Sequence, residues 1–168
     1  MLGVYLHIPY CRTLCPYCDF VKERSRTTVP MPFVEAVCRE IGEFEGPRGA
    51  GSVFFGGGTP SMLTDEGLGR IMASLFARFD LGGAEITLEA NPDDVTAEMM
   101  KAWRAMGVNR VSLGVQSFDR AVLKYLGRRH DADAARRACG IIAEHFDTWS
   151  LDLIFGAPQI EAWGATLA

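Results

Sequence analysis

No apolar run in this 168-residue chain approaches the roughly 20 residues a membrane-spanning helix needs, so no such helix is expected. Blocks of like charge are missing too. The 17 Lys and Arg and 21 Asp and Glu are interspersed, with a net charge of −4. That balance offers no basic field for nucleic acid and no single-sign tail for a partner. The opening Met1-Leu2-Gly3-Val4-Tyr5-Leu6-His7 has no basic n-region, and its apolar stretch breaks at Pro9. A secretory leader is therefore not expected, and a cytoplasmic setting is. There is no internal repeat, low-complexity segment or interdomain linker, so residues 1–168 read as one domain. A phosphate-binding P-loop and a dinucleotide fingerprint are absent, because the required lysine and spaced glycines are both missing.

Apolar residues make up 48% and charged residues 23%, the composition of a globular protein with a core. Short β-like runs alternate with helical stretches, the pattern of a parallel α/β sheet. Strands are expected at residues 3–8, 52–55, 85–90, 110–116 and 149–155. Helices are expected at about 31–45, 64–79, 96–106 and 132–145, with a further one from near Ile160. Thr64 suits an N-cap ahead of Asp65 and Glu66, and Gly107 a C-terminal stop after Met106.

Period two splits each strand into two faces. Val4, Leu6 and Ile8 oppose Tyr5 and His7; Ile86 and Leu88 oppose Thr87 and Glu89. Val111, Leu113 and Val115 oppose Ser112, Gly114 and Gln116; Leu151, Leu153 and Phe155 oppose Ser150 and Asp152. A sheet covered by helices on both sides would show aliphatic residues on both faces. One polar face per strand fits a closed or nearly closed (βα) barrel, whose active site gathers at the C-terminal strand ends. Glu89, Gln116 and Asp152 stand at or near such ends. Each alone would read as an ordinary hydrogen-bonded strand-end residue; four strands with one pattern favour the barrel.

The chemistry concentrates in three motifs. Cys11-Arg-Thr-Leu-Cys15-Pro-Tyr-Cys18 clusters three of the five cysteines directly after the first strand. Such clustering suits a metal site in a reducing compartment better than a disulfide framework. Three thiolates on a four-iron cubane leave one iron open to a small molecule. The alternative is structural zinc with His7 as fourth ligand, which is chemically legal, although the spacing is not that of paired two-cysteine knuckles. Gly56-Gly57-Gly58-Thr59-Pro60-Ser61 follows the second strand, where missing Cβ atoms permit positive φ and close backbone approach, or simply a tight turn. Finally, Arg128 follows the Gly114–Phe118 stretch and could give a bidentate fork to a carboxylate. Arg129, Arg136 and Arg137 read as a solvated helix face, His130 as a cap or packing group, and Cys38 and Cys139 as small buried hydrophobes.

With these residues in view, the chain resembles the radical S-adenosylmethionine (SAM) superfamily. Within it, the chain is similar to the family of oxygen-independent coproporphyrinogen III oxidase and the related heme chaperone HemW. The matching stretches are Tyr5–Cys11, Cys15–Phe20, Gly56–Ser61, Glu89–Pro92, Gly114–Phe118 and Asp152–Gly156. The resemblance implies a [4Fe–4S] cluster on Cys11, Cys15 and Cys18, with SAM on the fourth iron and cleaved by one electron to a 5′-deoxyadenosyl radical. It carries the family's SAM contacts onto Tyr5, Gly57, Gly58, Thr59, Glu89, Gln116, Arg128 and Asp152. It also implies an electron donor, heme or porphyrin as a ligand of the full-length protein, and heme-receiving partners.

Two departures matter. The oxidase branch has a further cysteine two positions after the third cluster ligand, where this chain has Phe20. That favours the heme-chaperone branch over porphyrin decarboxylation. Family members are also much longer, so the resemblance implies an N-terminal part of the fold: a partial barrel of about five βα units, without the sixth strand and C-terminal domain. A piece of that extent is expected to be marginally stable and inactive by itself.

Overall fold

The computed structural model describes residues 2–156. Strands β1 (Leu2–Ile8), β2 (Ala50–Gly57), β3 (Glu85–Ala90), β4 (Arg110–Gln116) and β5 (Thr148–Leu153) form one parallel sheet in sequential order. Between them run α1 (Met31–Glu43), α2 (Asp65–Arg78), α3 (Ala97–Met106), α4 (Arg120–Tyr125) and α5 (Ala132–His145). The expected helix near Ile160 lies outside the described residues. No described helix is long and apolar enough to cross a membrane.

Sequential order has a direct consequence. Right-handed crossovers between successive parallel strands put every connecting helix on the same side of the sheet. Accordingly α1 packs on α2, α2 on α3 and α3 on α5, as one layer. The aliphatic strand face meets that layer: Val53, Phe55, Leu88, Val111, Leu113 and Val115 are fully buried against Val34, Ile71, Leu75, Met100 and Ile142. The opposite face carries Tyr5, Glu89, Ser112, Gly114 and Asp152, the polar set expected from period two. The sheet is open, with β1 and β5 at its edges, as a partial barrel requires.

Local signals account for most boundaries. Thr64 caps α2 by accepting from the Gly67 amide at 3.0 Å, and Thr96 caps α3 from Met99 at 3.2 Å. Gly107 ends α3 at φ 104°, a left-handed conformation costly for residues with a Cβ. The fifth strand is shorter than expected. It stops at Leu153, and Phe155 is 80% exposed instead of joining the apolar face. The β4–β5 register shifts between Leu113 and Gln116, pairing resumes at Gln116 and Leu153, and Ile154 N–H donates to the Gln116 carbonyl at 2.9 Å. The partner strand itself ends there, at Gln116 with φ 69°. Cys38 and Cys139 are half-buried and packed against the core rather than fully inside it.

Because Leu88 is fully buried in the middle of the sheet, Leu88→Ala should cost about 2–5 kcal/mol. Urea denaturation followed by circular dichroism would measure this.

Candidate functional site

All the loops that follow the strands emerge at the C-terminal edge of the sheet, and there they surround a cavity of about 400 Å³. The cysteine loop is its first wall. After β1, Tyr10–Cys11 pairs with Glu23–Arg24 in a two-residue parallel ribbon, and Ser25 N–H donates to the Cys11 carbonyl at 2.9 Å. The intervening loop is thus closed at its base. Within it, Cys18 N–H donates to the Cys15 carbonyl at 3.2 Å, folding the last two cysteines into a turn.

Cys11, Cys15 and Cys18 are all free thiols lining this one cavity. Among the described residues, no three metal-ligating side chains gather around a single point. A cubane does not ask for that, since each thiolate takes its own iron. The zinc alternative loses its fourth ligand. His7 Nε2 lies 2.7 Å from the Val21 carbonyl and Nδ1 lies 3.1 Å from the Tyr5 hydroxyl, so both ring nitrogens are engaged within the chain. A carbonyl only accepts, so Nε2 carries the proton and Nδ1 accepts from Tyr5.

The glycine loop is the second wall. Gly58 N–H donates to the Ile8 carbonyl at 2.8 Å. A Cβ on Gly58 would stand 2.8–2.9 Å from backbone atoms of residues 8–10, and one on Gly57 would stand 2.7 Å from the His7 ring. The missing side chains therefore admit the protein's own backbone and His7, drawing the glycine loop against the entry to the cysteine loop. Gly57 also holds φ 109°. Next, Thr59 Oγ1 donates to Cys11 Sγ at 3.5 Å, and Asn91 Nδ2 donates to Thr59 Oγ1 at 3.3 Å.

Arg128 forms the third wall, delivered by α4, which the sequence reading lacked. Asp119 caps that helix with bonds of 2.7 and 2.9 Å from Ala121 and Val122 N–H. The Arg128 guanidinium donates to Asn91 Oδ1, to the Gly114 carbonyl at 2.8 Å, to the Tyr17 hydroxyl at 3.3 Å and to Cys15 Sγ at 3.6 Å. Its Nε is buried without a partner among the described residues. A buried orphan donor in a cavity wall is a costly feature unless an acceptor arrives. Arg129 stands at the cavity rim, exposed as expected, and pairs with Asp93 at 3.8 Å. His130 packs as expected, buried with Nε2 2.9 Å from the Val115 carbonyl, and burial lowers its pKa.

On the fourth side stand Glu89, Gln116 and Asp152. Ser112 Oγ donates to Asp152 Oδ1 at 3.2 Å. Burial, and then the nearby Asp152 carboxylate, push the Glu89 carboxyl up to about 7, opposed by a hydrogen bond from the Gly57 amide. Burial likewise raises the Cys11 thiol, while Thr59 and Lys22 pull it down. Burial pushes the Tyr17 phenol up to about 12.

Cys11, Cys15, Cys18, Gly57, Gly58, Thr59, Glu89, Gln116, Arg128 and Asp152 thus share one cavity. Tyr5 stands apart from its wall, half-exposed, with its ring stacked on Phe54 at 6.2 Å. The sequence reading gave no role to Asn91 or Tyr17, two of the residues that hold Arg128 in place. The arrangement suits a zwitterion beside a thiolate-bound group: carboxylates on one side, a guanidinium with one free N–H on the other. The cavity also falls within the size range of small-molecule sites. Three thiols lining one cavity, with the Arg128 guanidinium and its unpartnered Nε beside them, fit a cluster with a bound amino acid.

Two predictions follow from this geometry. Gly58→Ala should drive a Cβ into immobile backbone, displacing the cysteine loop at a cost of about 1–3 kcal/mol. Thermal unfolding and iron content after anaerobic loading would both fall. The second concerns pH. Folding raises the Glu89 carboxyl from its ordinary 4.5 to about 7, so the folded state holds more protons across that window. Stability from this group is present below pH 4.5 and is lost as pH rises to about 7. Urea midpoints across pH 4.5–8 should fall more steeply for the parent protein than for Glu89→Gln.

Comparison with known proteins gives the family. Residues 5–163 match the Radical SAM superfamily. Heme chaperone HemW of Synechocystis sp. is 39% identical, aligned over 98% of this chain and 43% of its own length. Heme chaperone HemW of Escherichia coli is 37% identical, over 94% of this chain and 43% of its own length. The structure of coproporphyrinogen III oxidase (HemN) from Escherichia coli, a radical SAM enzyme, superposes with TM-score 0.88 at 31% identity, covering 98% of this chain and 40% of that one. The chain therefore spans less than half the length of these relatives. With a sequential parallel sheet, three thiols at the mouth of its C-terminal edge and a match over 5–163, the chain belongs to the radical SAM superfamily.

Proposed function

We propose that residues 1–168 form a radical SAM core domain that holds a [4Fe–4S] cluster on Cys11, Cys15 and Cys18. SAM occupies the adjoining space, against Gly57, Gly58, Thr59, Glu89, Gln116, Arg128 and Asp152, with Tyr5 acting from the same strand face. One observation carries the reading: three thiols, the Glu89 and Asp152 carboxylates and the Arg128 side chain line a single cavity. When bound, cluster and SAM together supply one-electron cleavage of a sulfonium C–S bond.

The chain's own residues bind and orient. Arg128 Nε is the free donor for the carboxylate of an amino acid, while Asn91 and Gly114 fix its plane. Glu89 and Asp152 accept from an ammonium group or hydroxyls. Thr59 donates to Cys11 Sγ and moderates the charge of a ligating thiolate.

The protein this domain serves is proposed to be a heme chaperone of the HemW kind, binding heme and delivering it to target proteins with an electron donor as a further partner. The HemW relatives and Phe20, where the oxidase branch carries a cysteine, support this reading. Five free cysteines suit a reducing compartment such as the cytoplasm. A second reading, oxygen-independent coproporphyrinogen III oxidase, is favoured by the close superposition on HemN.

Anaerobic purification tests the cofactor: a brown protein with about four irons per chain, and loss of colour in Cys15→Ala, is expected. Colourless protein holding zinc would overturn it. Heme binding without protoporphyrinogen formation by the full-length protein separates chaperone from oxidase.

A further inference from the structure

Between the ribbon at Cys11 and the turn at Cys15, residues 12–14 make no backbone hydrogen bond among the described residues. This is the stretch that must hold two thiols at a fixed separation. One side chain anchors it. The Arg12 guanidinium pairs with the Asp94 carboxylate across 82 residues of sequence. Asp94 is only 5% exposed at its side chain and belongs to the 3-10 turn Pro92–Asp94 after β3. Its other oxygen accepts from Ser61 Oγ at 2.8 Å, and Ser61 lies in the 3-10 turn Pro60–Met62 after β2. Both carboxylate oxygens are therefore used, one by the cysteine loop and one by the glycine-loop turn.

We propose that Arg12, Asp94 and Ser61 form a latch that docks the cysteine loop before any cluster arrives, with Arg12 and Asp94 as positioning residues. None of the three belongs to the ligand set proposed above. A carboxylate this buried is stable as an anion only with charged or hydrogen-bonding partners on both oxygens. Without Arg12, the Asp94 oxygen loses its cation. Without Asp94, residues 12–14 keep no hydrogen bond or ion pair to the sheet among the described residues. The latch presets the Cys11–Cys15 separation, so that cluster assembly does not have to order the loop at the same time.

The proposal rests on the cluster reading for its purpose, but its test does not. In the cluster-free full-length protein, alkylation rates of each cysteine by iodoacetamide can be followed by mass spectrometry. Arg12→Gln and Asp94→Asn should each speed alkylation of Cys11 and Cys15 about tenfold, the loss expected for a charge-assisted hydrogen bond. The double variant should be no faster than either single one, and Arg12→Lys should recover part of the protection. Cys38 and Cys139, on α1 and α5, serve as internal references and should not change.

Unchanged Cys11 and Cys15 rates in Arg12→Gln would overturn the latch, as would additive effects in the double variant. A general rise that includes Cys38 and Cys139 would mean unfolding rather than undocking, and it too would overturn the latch if Arg12→Gln shows it. Iron loading separates the two readings. Protected thiols that take up no iron would sink the cluster and leave the latch standing; normal loading with unchanged thiol rates would do the reverse.

Discussion

Everything about this site depends on the sequential parallel order of the five strands. Because each crossover has the same hand, the helices occupy one side and leave the other without cover from its own connections. The sequence meets that asymmetry with one aliphatic and one polar face per strand. Parallel direction also collects every strand-to-helix loop at one edge. Cys11, Gly58, Asn91, Arg128 and Asp152 are distant in the chain yet meet there because each follows or ends a strand that points the same way.

Within that edge, hydrogen bonds knit the loops into one wall. Arg128 holds Asn91, Asn91 holds Thr59, and Thr59 reaches Cys11. Gly58, lacking a side chain, lets the second loop press against the end of β1. His7 ties the exit of the cysteine loop at Val21 back to that strand. The cysteine loop is therefore held by its base, its exit and its glycine neighbour, and Arg12 adds the hold along its length. Such pre-arrangement matters for thiolates, whose mutual repulsion would otherwise spread an empty loop.

Much of this was legible in the residues. The strand faces are set by strict alternation, so Ile86 and Leu88 could be separated from Thr87 and Glu89 by eye. The cap at Thr64 and the stop at Gly107 are local chemistry and stand as expected, while Thr96, expected inside its helix, is that helix's cap. The misses have physical causes. Helix α4 is only six residues long, too short to display a period, and its one cue was Asp119 as a cap. The end of β5 coincides with the end of its partner β4 at Gln116, a property of the neighbouring strand. The glycines were read as permitting close approach by a ligand or a tight turn; at positions 57 and 58 a Cβ would also meet His7 and the backbone of residues 8–10, which only the fold brings there.

The sequence by itself determined the chemistry on offer: three closely spaced thiols, a glycine-rich turn, one polar face per strand and Phe20 beside the cysteines. These are set by residue identity and by spacings shorter than a helix turn or a strand. Only the tertiary structure decided which groups stay available. His7 is consumed by Val21 and Tyr5, Arg129 pairs with Asp93 at the rim, and Arg128 is held by Asn91 and the Gly114 carbonyl. Most of those outcomes depend on partners distant in the chain, and a hydrogen bond's partner is a matter of distance in space that linear order does not carry.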